Sequence, residues 1–401
     1  MAEPLSLEHA LARAAKALSV VYSPQALPPA TRLPAAADFE AVAREVASGG
    51  EPVAAALAEA LARPELRLAA GRLLASRGDV ASLHALLAAT RLPDVVASET
   101  AARALMQLEA SPDVADVLVA ELRARPAPRL RQPMLYALLS LADPDLVPRL
   151  EALWPELSAA DRVLCLEGIA ARGGPESLQL LRRAAREREA KVAVEAATGL
   201  CVRGQHEALE RLLAGAAARA APVRQQAVFG LGRVSSGEGV DGVLRALADA
   251  APLVRMSALL SAVFLNEARL HPRIQALVTD PRPDVKHQAL AVLPEVLGRS
   301  GSVAAEVPAG ARLFRGRPAR LEDYLELLPH PTFGVYAALQ LSSATGEPTD
   351  FAPGKDLVYN LEAIERWTAV LGASASRRRA GAWYFHGREL APPPSADRPA
   401  S

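Results

Sequence analysis

The feature that most constrains this chain is an internal repeat of 31 residues. It is clearest in four valines spaced 31 residues apart, each followed four places later by an alanine: Val192, Val223, Val254 and Val285. The same register extends back through Asp161, Leu130, Ala97 and Leu66, with a single interval of 33 residues. Eight units in one register predict stacked copies of a small structural unit, not a single central core.

Each unit has the pattern of a helix pair. Counting the aligned position as 0, small or apolar residues recur at +4, +7 and +8, which places them on one stripe of a helix. A second amphipathic stretch precedes this helix, and a proline such as Pro222, Pro252 or Pro283 separates the two. Proline is tolerated before a helix or in its first turn, but poorly inside one. The composition agrees, because 51% of the 401 residues are apolar but only 4% are aromatic, and alanine and leucine favour helices.

The +1 position is basic in six of the eight units. Its basic residues are Arg67, Arg131, Arg162, Arg224, Arg255 and Lys286. This row could bind a polyanion, or each side chain could lie in the seam between repeats and bond a neighbouring carboxylate or carbonyl. The 45 basic residues are balanced by 45 acidic ones, so the chain lacks the positive charge typical of nucleic-acid binding. We therefore expect the seam arrangement.

The segment Pro222-Val223-Arg224, with Ala227 and Gly230-Leu231, resembles HEAT repeats of the short kind also found in phycobilisome lyases. The resemblance covers about residues 50–298. It implies an all-α fold, a right-handed α-α superhelix of about eight to nine helix pairs. It does not imply one activity, because such repeats serve scaffolds, adaptors, lyases and a few metalloenzymes.

A second resemblance lies downstream of the repeats. Residues 310–341 contain a glycine-rich and proline-containing turn, then a leucine-rich and an alanine-rich helical segment. This order is similar to a family of proteobacterial HEAT-repeat proteins of about this length. It implies a related architecture and brings no activity with it.

The patterns divide the chain into four regions. Residues 1–37 are predicted to form a helix and a proline-rich link, and residues 38–298 the repeat solenoid. Residues 299–390 are predicted to be a helical cap containing a degenerate ninth repeat near Phe333, and residues 391–401 a disordered tail. Within the cap, Trp383-Tyr384-Phe385 either covers the open apolar end of the solenoid or docks a partner.

No catalytic, metal-binding or cofactor-binding residues are predicted. The seven histidines are scattered, and the one His-Glu pair, His206-Glu207, is too few for a di-iron hydroxylase of this architecture. Cys165 and Cys201 form no CxxC pair and are predicted to be buried.

The sequence shows no signal peptide and no apolar run of membrane-spanning length. We expect a cytoplasmic protein without a membrane partner.

Binding is expected along the concave face of the solenoid, which the second helix of each pair lines, at offsets +2, +3 and +6. The candidate residues are Gln132, Tyr136, Glu167, Glu195, Gln225, Phe229, Met256 and His287. This mixture of apolar, amide and acidic groups suits a protein partner better than nucleic acid, unless strong curvature buries several of them. The predicted function is a non-catalytic protein-protein interaction scaffold or adaptor that binds a partner along this concave face. The alternatives are a phycobilin-lyase-like enzyme or chaperone subunit and, third, a nucleic-acid-binding protein.

Overall fold

The chain divides into two compact units, residues 1–157 with 352–361 and residues 158–351 with 362–401. The computed structural model describes residues 6–22, 29–109, 111–124, 126–140, 145–170, 174–298, 301–303, 307–330, 332–348, 351 and 357–392. The predicted disordered tail lies outside the described residues from 393 onwards. We refer to the two parts as unit 1 and unit 2.

Nine helices of unit 1 are described. They are α1 (Leu7–Val21), α2 (Pro29–Ala47), α3 (Gly50–Ala60), α4 (Arg67–Arg77), α5 (Val80–Ala89), α6 (Val95–Met106), α7 (Pro112–Arg123), α8 (Pro128–Leu139) and α9 (Leu146–Leu153). A short 3-10 helix follows at Trp154–Glu156. Within this unit α3, α5 and α7 pack in one layer, and α4, α6 and α8 pack in a second layer.

Unit 2 continues the repeat. Its repeat helices are α10 (Ala159–Ala170), α11 (Pro175–Ala184), α12 (Ala190–Val202), α13 (Leu209–Ala216), α14 (Ala221–Leu231), α15 (Gly239–Ala246), α16 (Pro252–Phe264), α17 (His271–Ala276) and α18 (Pro283–Leu297). The helices α10, α12, α14, α16 and α18 pack side by side in one layer. In both units the aligned positions lie within or directly before the even-numbered helices α4 to α18, so the predicted all-α solenoid fold is confirmed.

The small residues of the stripe let neighbouring helices approach closely. Ala227, Ala258 and Ala289, at +4, are fully buried. At +7, a Cβ on Gly230 would lie 2.3 Å from Thr198 Oγ1 of the preceding repeat. A larger side chain there would force α12 and α14 apart, which explains why a glycine occupies this position.

The arginines at +1 lie in the seams between repeats. Arg224 contacts Asp249 of the next repeat through two nitrogens, at 2.6 and 2.8 Å, and Arg255 contacts Asp280 in the same way at 2.9 Å. Both arginines also donate to carbonyl oxygens just before their own helix. Arg67 pairs with Asp94, Arg162 pairs with Glu187, and Arg131 donates to the carbonyls of Leu122 and Glu156. The seam prediction is confirmed for these five arginines, and Lys286 is exposed.

The predicted proline-rich link is partly wrong. Residues 29–37 belong to α2, which begins at Pro29 and contains Pro34, and residues 23–28 lie outside the part of the chain that the structure describes. A proline at the first helical position suits a helix. The burial of Ala36, Phe39 and Val42 favours α2 despite the internal proline.

The C-terminal region contains strands as well as the predicted helices. Its elements are β1 (Leu313–Phe314), β2 (Arg317–Pro318), a 3-10 helix (Leu321–Leu327), α19 (Gly334–Thr345), α20 (Leu357–Ser374), β3 (Trp383–Phe385) and β4 (Arg388–Leu390). Strands β1 and β2 form one antiparallel hairpin, and β3 and β4 form another. The turns contain Gly316 and Gly387, both with positive φ, a conformation that glycine adopts without strain.

Helix α19 does not continue the array as a ninth repeat. It packs against α12 and α16, and its polar side chains bond the backbone that follows α14. Gln340 Nε2 donates to the carbonyls of Gly232 and Val234, at 2.9 and 3.1 Å, and Ser343 Oγ accepts from Ser235 N. These bonds satisfy backbone groups just beyond the buried end of α14. Helix α19 therefore lies across the repeats and does not extend the array.

A buried histidine beside this region predicts a pH-dependent stability of unit 2. His271 Nε2 lies 2.6 Å from Asn266 Oδ1, and burial lowers the pKa of the imidazole to about 4. In the unfolded chain the pKa is about 6.5, so unfolding favours protonation. The neutral His271 therefore contributes about 3 kcal/mol to the free energy of unfolding of unit 2. This contribution is fully present above about pH 6.5 and is lost as the pH falls towards 4.

The His271→Gln variant tests this expectation, because a glutamine amide can still donate to Asn266 and does not titrate. Urea unfolding is measured at about pH 7 and about pH 4.5 for both proteins. Wild type should lose more stability than the variant between these two conditions. Equal losses would show that His271 does not contribute to the pH dependence.

Candidate interaction surface

A buried ion-pair cluster lies where α10, α12 and α14 adjoin. Arg233, just beyond the end of α14, places Nη2 at 2.6 Å from Glu195 Oε2 on α12 and Nη1 at 3.4 Å from Glu167 Oε1 on α10. Arg233 is 1% exposed and Glu195 is 0% exposed. One guanidinium therefore links the second helices of three consecutive repeats.

Amide and aromatic groups complete this cluster. Gln226 Nε2 donates to the Glu195 carboxylate at 2.5 Å. The Arg233 guanidinium lies 4.6 Å from the centroid of the Phe229 ring, within the range of a cation–π interaction. Tyr336 of α19 meets Phe229 edge-on, with centroids 4.8 Å apart, and stacks on Phe264 at 5.2 Å. Helix α19 thus covers the repeat helices at this point.

The electrostatics of the cluster favour a fixed charge over proton transfer. Burial alone would lower the pKa of Arg233, but Glu195 and Glu167 together raise it above the usual value. Burial raises the pKa of Tyr336 well above its ordinary range, so the phenol stays neutral. Burial also raises the pKa of Glu167, against the effect of Arg233. The permanent cation and the carboxylates that it contacts hold the three helices together.

The structure brings three of the predicted binding residues together and separates the others. Glu167, Glu195 and Phe229 meet around Arg233. Gln225 and Met256 are half-buried on α14 and α16, and His287 is exposed on α18. In unit 1, Gln132 is exposed and Tyr136 is half-buried on α8.

Glu195 does not line an accessible groove. The expectation that Glu195 is a binding residue is wrong, because Arg233 and Gln226 cover the Glu195 carboxylate. The residue is 0% exposed. The repeat pattern does not predict the role of Arg233, because this residue falls beyond the helical stripe. A cation between the apolar residues Leu231 and Val234 is the signal that could have found it.

The aromatic segment Trp383-Tyr384-Phe385 is buried and lies along the repeats. Trp383 is 1% exposed and donates from Nε1 to the carbonyl of Gly310, while Phe385 meets His206 edge-on at 4.9 Å. The next residue, His386, bonds the Val202 carbonyl at the end of α12. The segment therefore packs against the end of α12. Its burial favours a structural role over the docking of a partner.

The described residues contain no group of three or more His, Cys, Asp or Glu side chains that could hold a metal ion. Cys165 and Cys201 are buried, as expected, and burial raises the pKa of the Cys201 thiol. In the described part of the chain, no helix has the length and apolar character needed to cross a membrane.

Large apolar side chains are exposed in unit 1, at the starts of α4 and α6. Val95 is 68% exposed, Val96 57%, Leu68 44% and Leu92 39%. The ion pair between Arg67 and Asp94, at 2.6 Å, ties the starts of the two helices together. We call these four residues the unit 1 apolar surface.

This surface continues into a groove between α3 and α5. Leu92 forms part of the wall of this groove, whose volume is about 510 Å³. The rest of the wall is mostly alanine, together with Glu51, Glu59 and His84. A shallow groove lined by alanine offers a partner a complementary shape and apolar contact. It has few polar groups that would need hydrogen-bond partners.

Comparisons with known proteins agree with the repeat. The family described as HEAT repeats matches residues 209–294, so the chain contains HEAT repeats, as the sequence predicted. A search of curated proteins finds no significant match.

Three solved structures are similar to the chain at low identity. Human deoxyhypusine hydroxylase in complex with glycerol is 17% identical, covers 71% of this chain and 96% of its own, and has a TM-score of 0.32. YibA of Escherichia coli is 14% identical, covers 63% and 96%, and has a TM-score of 0.30. An engineered protein is 17% identical, covers 88% and 99%, and has a TM-score of 0.25.

Proposed function

We propose that this HEAT-repeat chain is a non-catalytic scaffold that binds a protein partner through unit 1. HEAT repeats generally mediate protein interaction. The observation that carries the proposal is the unit 1 apolar surface. Clustered apolar side chains beside a groove are typical of protein-binding sites. Gln132 and Tyr136, on α8 of the same unit, remain candidate contacts.

The seam arginines favour a protein partner over nucleic acid. Arg67, Arg224 and Arg255 already contact carboxylates of the neighbouring repeat. A paired guanidinium would have to give up its carboxylate before it could bind a phosphate backbone. A lyase-like role would instead be seen as visible absorption that stays with the purified protein after incubation with a bilin.

The double variant Val95→Glu with Val96→Glu tests the proposal. Both residues lie in the first turn of α6, where an acidic side chain interacts favourably with the helix dipole. The variant should therefore fold normally while placing two charges in the interface. We expect capture of the partner to fall at least tenfold, about 1.4 kcal/mol or more.

Leu290→Glu is the matched control, since Leu290 is an apolar residue of unit 2 that is 49% exposed. Each protein is immobilised and exposed to a lysate of the source organism, and the retained proteins are quantified by mass spectrometry. The proposal requires a protein held by wild type and the control but lost by the double variant. Equal retention by all three, or no retention above bare resin, would refute it.

A further inference from the structure

A cavity of about 520 Å³ lies in unit 2, between the 3-10 helix Leu321–Leu327 and the segment that joins α20 to β3. Its charged lining residues are Arg312, Arg320, Arg378, Arg379, Glu322 and Asp323. Its volume falls within the range of small-molecule sites. None of these residues belongs to the unit 1 apolar surface, so the cavity is independent of the proposed scaffold function.

Positive charge exceeds negative charge around this cavity. Glu322 pairs with Arg378 at 3.2 Å, and Asp323 pairs with Arg317, just outside the lining, at 2.7 Å. Arg379 pairs with Glu389 at 2.5 Å. Each carboxylate thus has its own arginine, and the guanidinium groups of Arg312 and Arg320 remain in excess. The cluster carries two uncompensated positive charges.

Arg312 is the unusual member of the cluster, because it is 1% exposed. Its guanidinium donates only to neutral acceptors, the Phe264 carbonyl, Ser235 Oγ and Gln340 Oε1. The rings of Tyr324 and Trp383 lie 4.5 and 5.4 Å from it.

Among the described residues, no carboxylate lies within ion-pair distance of Arg312 or Arg320. A buried cation without an anionic partner is costly. An anion in the adjoining cavity would reduce that cost.

We propose that this cavity binds the phosphate group of a small phosphate monoester. A phosphate monoester carries a charge of about −1.5 to −2 at neutral pH, which matches the excess of the cluster. Guanidinium groups present paired donors that fit phosphate oxygens. Arg320 is exposed beside the cavity and can reorient towards a ligand, while Arg312 supplies fixed positive charge.

Titration calorimetry of the full chain with glycerol 3-phosphate and with inorganic phosphate, at constant ionic strength, tests the proposal. Arg320→Gln removes an exposed guanidinium and should weaken the binding of both probes at least tenfold. Arg388→Gln is the matched control, because Arg388 is an exposed arginine on β4 that does not line the cavity. Its affinity should stay within twofold of wild type.

Three outcomes would overturn the proposal. The first is that neither probe gives saturable heat at millimolar concentration. The second is that Arg320→Gln and Arg388→Gln bind the probes with equal affinity. The third is that a phosphoserine peptide binds tenfold more tightly than glycerol 3-phosphate. The last would assign the site to a phosphorylated protein. If Arg320→Gln fails to show a wild-type melting curve, Arg379→Gln replaces it, since the Arg379 side chain is 66% exposed.

Discussion

Arg233→Ala is expected to destabilise unit 2 by about 3–5 kcal/mol. The change removes the guanidinium that lies 2.6 Å from Glu195 and leaves a carboxylate with 0% exposure in the interior. An unpaired buried charge must then be protonated or hydrated by partial unfolding. The loss should greatly exceed that of an exposed arginine, because a surface ion pair contributes about 0–1 kcal/mol.

Urea unfolding followed by tryptophan fluorescence measures this effect, since Trp367 and Trp383 are both buried in unit 2. Arg245→Ala is the control, because Arg245 is exposed on α15. If Arg233→Ala and Arg245→Ala gave the same unfolding midpoint, the cluster would contribute nothing to stability.

A double variant separates the ion pair from simple packing. Replacing Arg233 and Glu195 together by methionine removes both charges and keeps apolar volume. Buried ion pairs can often be replaced in this way at little cost. The double variant should therefore be more stable than the sum of the two single changes predicts. Additive losses would mean that the two side chains do not interact.

Much of the repeat fold could be predicted because it is local. The 3.6-residue periodicity, the prolines at the start of helices such as α14, α16 and α18, and the spacing of 31 residues depend on sequence neighbours. The seam arginines follow from the same regularity, since Arg224 and Arg255 each contact an aspartate 25 residues further on. A periodic sequence repeats its contacts, so one unit predicts the next.

The candidate site was only partly predictable, because it depends on contacts between distant residues. Gln340 bonds the carbonyl of Val234 from 106 residues away, and Arg233 pairs with Glu195 from 38 residues away. No period connects α19 with the repeats. Glu195 and Gln226 both fall at offset +3 and contact each other on adjacent helices, but the offsets could not show that Arg233 would cover the Glu195 carboxylate.

The unit 1 apolar surface was missed for a related reason. Val95 and Val96 are apolar residues that directly precede the aligned Ala97. Apolar residues at this place are also typical of the buried start of a helix. Their exposure of 68% and 57% depends on where the adjoining loop ends. Only the three-dimensional arrangement separates an apolar residue in the core from one on the surface.

Trp383→Ala is expected to cost about 3–5 kcal/mol, the range typical of removing a buried aromatic side chain. Trp383 is 1% exposed, donates from Nε1 to the Gly310 carbonyl at 2.9 Å and lies 5.4 Å from the Arg312 guanidinium. The variant loses apolar burial, a hydrogen bond and one of the two rings beside a buried cation. Trp383→Phe retains a ring and should lose about 1 kcal/mol for the hydrogen bond, plus a smaller packing term.

These variants also separate the two interpretations of the aromatic segment. Unfolding is followed by far-UV circular dichroism, with Leu253→Ala as an exposed apolar control whose change should stay within about 0.5 kcal/mol. A structural role requires a lower unfolding midpoint for Trp383→Ala and unchanged partner capture by the fraction that remains folded. A docking segment would give the reverse, an unchanged midpoint and lost capture. Since Trp383 packs against Arg312 and not solvent, we expect the first result.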